Sequence, residues 1–217
     1  MVMNKTPNEE GKVSTKDKIF QVSIDLFSEK GFNAVSIREI AREVGIRESS
    51  IYNHYKNKDA ILDTIIEYFM EIMGSSGPQE DVGVDLLTQS PEAFLKCGAS
   101  MYMDQINTPT MNKIWRIISI EMYQNENIRH IFLESMLEEP LKFWESIFTQ
   151  LITNKLIKPF DPKILAREYF FFGVYLFFEH FVLRYPDTEE SFIDTAKDRL
   201  MEHIDFLLSS ITLEVEK

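Results

Sequence analysis

The sequence predicts an all-α fold, and three observations carry that prediction. The 217 residues include only 8 Gly and 8 Pro, too few turn formers for a chain of many short strands. They also include 17 Phe and 10 Met, side chains that fill broad contacts between helices. Finally, apolar residues recur every three or four positions from Ser14 onward, in blocks bounded by Gly, Pro or Asn. The length admits one ordinary domain or a small domain joined to a larger one. Hydrophobic residues at 44% and charged residues at 27% place the chain among folded globular proteins. One cysteine, Cys97, excludes an intramolecular disulfide framework and a Cys-based zinc finger, which makes a reducing compartment the default and Cys97 a small buried hydrophobe.

Residues 1–13 mix Lys5 and Lys12 with Glu9 and Glu10 and hold no apolar run. They are expected to be a disordered tail, neither a secretion signal nor a basic arm. A first helix runs from Ser14, with Ile19, Phe20, Ser23, Leu26 and Phe27 on one face, to Gly31, where glycine accepts a left-handed cap. Ser36-Ile-Arg-Glu39 has the spacing of a capping box, and the helix it opens shows Ile37, Ile40, Ala41 and Val44 before Gly45. A third helix is expected from Arg47 to His54. Asn57 then caps a helix over 59–73 bearing Ile61, Leu62, Ile65, Ile66 and Phe69. The stretch 74–83 reads as a loop, and further helices are expected over 91–106, 109–123, 128–156, 162–184 and 189–211. Pro140 should kink or divide the third of these, and Pro186 separates the last two. The domains expected are the tail at 1–13, a helix-turn-helix domain at 14–60 and a helical bundle at 61–217.

Two short helices joined by a glycine-bearing turn have helix-turn-helix geometry. Ala41 stands where the helices pack closest, Gly45 in the turn, and Ile51 where it can plug back into a core with Ile40, Val44 and Ile46. An ordinary helical hairpin is the alternative. The formal charge of −12 argues against a nucleic-acid partner until its distribution is considered. Between Ser36 and Lys58, five cations (Arg38, Arg42, Arg47, Lys56, Lys58) face three carboxylates (Glu39, Glu43, Glu48). This is a cationic spot on an anionic body.

From Ile19 to Leu62 the chain resembles the N-terminal domain of the TetR family of transcriptional regulators. The matching residues are Leu26-Phe27, Lys30-Gly31-Phe32, Ser36-Ile-Arg-Glu-Ile-Ala41, Val44-Gly-Ile46 and Ile51-Tyr-Asn-His-Tyr-Lys-Asn-Lys58. The resemblance implies a homodimer that binds a pseudo-palindromic double-stranded operator and releases it when a small molecule enters the C-terminal domain. It also implies that Tyr52 and His54 touch phosphates and that Arg38 reaches a base, while Asn53 departs from the commoner aromatic. Helix geometry independently directs Arg47, Ser49 and Ser50, at the start of the second motif helix, toward base edges. Lys58 opens the next helix, where backbone donors favour a phosphate, and Ser36 and Lys56 complete the candidate set. Against this, the two serines can simply tolerate an exposed helix, Arg38 can pair with Glu39 or Glu43, and a helical histidine is usually packed or solvated.

The run Tyr169-Phe-Phe-Phe-Gly-Val-Tyr-Leu-Phe-Phe178 is too apolar for a helix with one wet face. Phe171, Tyr175 and Phe178 form one stripe, and Phe170, Val174, Phe177 and Phe181 another. One stripe can line a pocket while the other meets a partner subunit. Pocket candidates are Met101, Tyr102, Trp115, Met122, Trp144, Phe171, Tyr175 and Phe178, with Glu121 and Glu179 able to neutralise a cationic ligand. Plain core is the competing reading for each. Near-heptad apolar residues Ile193, Ala196, Leu200, Ile204, Leu207 and Ile211 suit a homodimer built from the last two helices.

No enzyme motif is present, and the four histidines are scattered without metal-ligand spacing, so no catalytic residue, metal or cofactor is expected. No stretch reaches the length of a membrane span, and a cytoplasmic location is expected. The effector is not readable, and a protein partner for the C-terminal domain is the alternative to a metabolite.

Overall fold

The computed structural model describes residues 13–74, 86–106, 108–184 and 191–213. Most of the expected tail, nearly all of the loop at 74–83, Pro186 and the side chain of Ile193 lie outside the described residues. The described residues are helices joined by short turns, with no strand among them. The chain divides into two compact units, Met1–Tyr68 and Phe69–Lys217.

The first unit begins with α1 (Thr15–Lys30), capped by Ser14 Oγ, which accepts the Asp17 N–H at 3.1 Å, and closed by Gly31 at φ 80°. Helix α2 (Ile37–Val44) opens on the expected box. Ser36 Oγ accepts the Glu39 N–H at 3.2 Å, and the Ser36 N–H turns toward the Glu39 carboxylate. It ends at Gly45, which is left-handed at φ 78°, ψ 33°. Helix α3 is shorter than expected, spanning Glu48–Ile51 rather than 47–54. The chain then turns so that Ile51 and Tyr55 are both buried, with the His54 and Tyr55 N–H groups donating to the Ile51 carbonyl. Asn57 caps α4 (Lys58–Gly74) by accepting the Ala60 N–H at 2.9 Å, and the boundary between units falls within this helix. Ile19, Ile24, Phe27, Ile40, Ala41, Ile51, Ile61 and Ile65 form the core of the first unit, and Phe27 meets Phe32 edge-on at 5.2 Å.

In the second unit, α5 spans Pro91–Ile106 and α6 spans Pro109–Glu121. The helix expected over 128–156, with Pro140 to kink or divide it, is three pieces: α7 (Glu126–Ile131), an unforeseen π-helical stretch Phe132–Glu138, and α8 (Glu139–Thr153), which begins beside the proline. Pro140 sits in the first turn of α8, where its missing N–H costs no helical hydrogen bond. The helix expected over 162–184 is α9 (Pro162–Phe178) followed by a second π-helical stretch, Glu179–Leu183, and α10 spans Ser191–Ile211. The core gathers Leu95, Met111, Ile114, Phe148, Leu151, Leu165, Leu176 and Ile204. Tyr169 is buried there with its hydroxyl donating to the Leu95 carbonyl at 2.7 Å. Cys97, expected to be buried, is exposed and sits 3.8 Å from the sulfur of Met101; its turn of α5 points away from the core that Leu95 and Ala99 enter.

Candidate functional site

In the first unit the motif helices present a polar surface above an apolar floor. Ile40, Ala41 and Ile51 are buried, while Val44 and Ile46 are only half-buried at the turn. The Ile46 N–H donates to the Ala41 carbonyl at 3.0 Å, fixing the corner after Gly45. Ser36, Arg38, Arg47, Ser49, Tyr52, Asn53, His54 and Lys56 are all exposed, with Tyr52 at 52%. Arg47 is the residue before α3 and makes no side-chain cap bond. Ser50 is half-buried, its place on α3 turned partly toward the floor.

Neighbouring carboxylates are partly committed. Lys30 donates to Glu39 at 2.7 Å, and that hydrogen bond, ahead of the charges of Lys30 and Arg42, holds the Glu39 carboxyl below its usual range. Arg42 pairs with Glu43 at 3.1 Å. Glu39 and Glu43 are thus occupied by other cations, although both were alternatives to DNA as partners for Arg38.

Lys58 is the exception to the expected pattern. It does not stand free at the start of α4. Its ammonium donates to the Phe32 carbonyl at 2.7 Å and the Val35 carbonyl at 2.8 Å, and lies 4.2 Å from the centroid of the Phe32 ring. Two of its three donors tie α4 to the loop between α1 and α2. The Phe32 carbonyl also accepts the Val35 N–H at 3.3 Å, so the lysine joins a turn that is already hydrogen-bonded.

The second unit holds two cavities of small-molecule size, about 390 and 400 Å³. Trp115 is a wall of the first, 6% exposed and surrounded by Phe69 edge-on at 4.9 Å and by Phe177 and Phe181 in near-parallel stacks at 5.5 and 5.9 Å. Trp144, Phe143 and Tyr169 line the second together with Gly98 and the methionines Met70 and Met73. Tyr102, Met136, Val174 and Phe177 face both cavities. Burial pushes the Tyr102 and Tyr169 phenols above their ordinary value.

Of the eight pocket candidates, Tyr102, Trp115, Met122 and Phe178 line the first cavity, and Tyr102 and Trp144 the second. Met101, Phe171 and Tyr175 line neither and are 42 to 47% exposed. The two stripes on α9 therefore have opposite partners from one natural assignment. Phe170, Val174, Phe177 and Phe181 turn to the cavities, while Phe171 and Tyr175 turn outward. When every face of a helix is apolar, its pattern carries no sign of which face is inside.

Glu179 is buried but is not available to a ligand. Arg184 donates to it at 2.7 Å and Arg199 at 2.9 Å, and these hydrogen bonds hold its carboxyl below the usual range. Glu121 is buried and lines neither cavity. Residues that sequence reasoning missed include Arg129, Phe132 and Met136, all in the part of 128–156 that precedes Pro140, where no break was expected.

Residues 19–65 match the model of the bacterial regulatory proteins of the tetR family. The HTH-type transcriptional regulator YerO of Bacillus subtilis is 38% identical over 81 residues, covering 37% of this chain and 27% of that protein. The probable HTH-type regulator YttP of the same organism is 27% identical over 146 residues, 67% of this chain and 62% of that one. The chain thus matches less than two thirds of the length of either of these relatives. The biofilm operon icaADBC HTH-type negative transcriptional regulator IcaR of Staphylococcus aureus is 30% identical over 165 residues, covering 70% of this chain and 89% of that protein. In fold, a TetR family transcriptional regulator from Pseudomonas syringae superposes with a TM-score of 0.65 at 14% identity, covering 94% of this chain and 100% of that one.

Proposed function

The chain belongs to the tetR family of bacterial regulatory proteins, and on that premise we propose that it is a ligand-responsive repressor acting as a homodimer in the cytoplasm. In this reading residues 14–60 bind a pseudo-palindromic operator and residues 61–217 dimerise and hold a small-molecule effector, whose entry releases the DNA. One observation carries the DNA-binding part: a corner set by left-handed Gly45 leaves α3 short, raised and polar, with Arg47, Ser49, Tyr52, Asn53 and His54 exposed around it. A helix presented in this way fits the major groove, and exposed cations at its margins supply the phosphate attraction.

The homodimer is supported by Phe171, Tyr175 and Phe178 on α9 and Phe206 on α10, which are large apolar side chains left exposed. The effector is supported by two cavities where a protein-binding module would have a filled core. Anisotropy titration of the full chain against DNA from upstream of its own gene tests the reading. Saturable binding that is protected over two half-sites about one duplex turn apart is expected. Binding without any sequence preference, or with a single half-site footprint, contradicts it.

A further inference from the structure

The chemistry of the first cavity restricts what can fill it. Its wall is mostly aromatic and aliphatic, with Ser119 and the phenols of Tyr102 and Tyr123 as neutral polar groups, and the solvent-exposed Arg129 is its one charged residue among the described residues. The guanidinium lies at the α6 end of the cavity, where Nη1 donates a long 3.4 Å hydrogen bond to the Met122 carbonyl. No carboxylate among the described residues forms an ion pair with Arg129. Glu134, five residues on, is 3.2 Å from His130. An arginine in a fork geometry at the margin of an apolar chamber matches a carboxylate in shape and charge.

Two further features mark this cavity as a site. Both π-helical stretches among the described residues border it, the first through Phe132, Met136 and Leu137 and the second through Phe181 and Val182. Extra residues inserted into a helix at one wall are costly in regular packing and recur at functional sites. In addition, four residues, including the adaptable Met136, separate this cavity from the second one, so a flexible tail has room to pass beyond the first chamber.

We propose that the effector is an apolar monoanion, a carboxylate on a long-chain or aromatic body, with its head at Arg129 and its body along the aromatic wall that Trp115 and Phe177 form. This rests on the effector-bound reading given above and adds the chemical class. A cation is disfavoured by the same arginine, and a neutral apolar molecule gains no charge-assisted hydrogen bond from it.

The test uses the full chain with Trp144→Phe, which leaves Trp115 as the fluorescent reporter in the first cavity. Dodecanoate, dodecan-1-ol and dodecylammonium, kept below micelle formation, are titrated in parallel. Dodecanoate is expected to perturb Trp115 and bind at least about tenfold more tightly than the other two. Arg129→Gln should remove that preference, and Arg129→Lys should restore part of it. Equal binding of the alcohol or the amine, or a preference that survives Arg129→Gln, overturns the anion assignment while leaving an effector site standing. Failure of all three to bind overturns the assignment and counts against the effector reading too, which calorimetry on the unmodified chain would register independently of the tryptophan.

Discussion

Tyr55 shows how a single atom can be placed at a disadvantage in the first unit. It is buried, and its hydroxyl has no hydrogen-bond partner. Burial first, then the Asp17 charge, raises its phenol above the ordinary value. A buried donor left without a partner costs about 1–3 kcal/mol, so Tyr55→Phe should leave stability unchanged or raise the unfolding midpoint. A clear fall in midpoint by thermal melting would show that the hydroxyl has a partner after all. Lys58 is the opposite case. Removing its two hydrogen bonds with Lys58→Ala should cost about 1–2 kcal/mol in unfolding free energy, while the salt dependence of DNA binding changes by less than the loss of one full phosphate contact. Arg38→Ala should behave differently, leaving the melting curve in place while costing about 1–3 kcal/mol of operator affinity and relaxing preference at one base position. Titrations at several salt concentrations separate the two residues. The residue types at these positions were readable from sequence, but the use of Lys58 was not. A lysine at a helix start looks the same in a sequence whether its ammonium meets phosphate or two carbonyls 23 and 26 positions earlier.

At the scale of elements, the first unit was legible because its signals are local. Ser14, Ser36 and Asn57 each cap the helix that follows them, and Gly31 and Gly45 end the helices before them. Gly45 has open space around its Cβ direction but a φ of 78°, so Gly45→Ala should cost about 1 kcal/mol from backbone strain alone. Circular dichroism should show no loss of helix, and a larger cost would mean hidden crowding in the turn. The second unit was less legible because its defining features are departures from regular periodicity. Pro140 marked where the stretch 128–156 divides, but the π-helical insertion before it shifts the apolar face by one residue without a Gly or Pro of its own, so Phe132–Glu138 was not legible. The second insertion hides the clamp on Glu179, where Arg184 closes a π-turn and Arg199 reaches in from α10. Because this carboxyl titrates lower when folded than its ordinary value of 4.5, it contributes stability above that pH and loses it as the pH falls through the folded value. Glu179→Gln should therefore flatten the acid side of the stability profile, which denaturant melts between pH 3 and 7 would read. An unchanged acid limb would place the two arginines elsewhere in solution.

For the molecule as a whole, a charge of −12 must be reconciled with a DNA partner. Repulsion away from the α2–α3 surface is expected to lower affinity for arbitrary duplex, and in the proposed function selectivity then falls on two correctly spaced contacts made together. In the proposed homodimer the pairing of subunits sets that spacing, and the exposed apolar residues of α9 and α10 are the surface to break. Phe206 is 71% and Tyr175 47% exposed, so the double change Tyr175→Glu with Phe206→Glu should leave each chain folded, with its melting and dichroism near those of the parent. Light scattering should report a monomer at micromolar concentration. Operator affinity should fall by about a hundredfold or more, because the second half-site is no longer held at high effective concentration by the first. Affinity for a single half-site should stay near its original value. A variant that remains dimeric would move the interface off α9 and α10, and a monomer that still binds the whole operator at parental strength would remove paired contact as the source of selectivity.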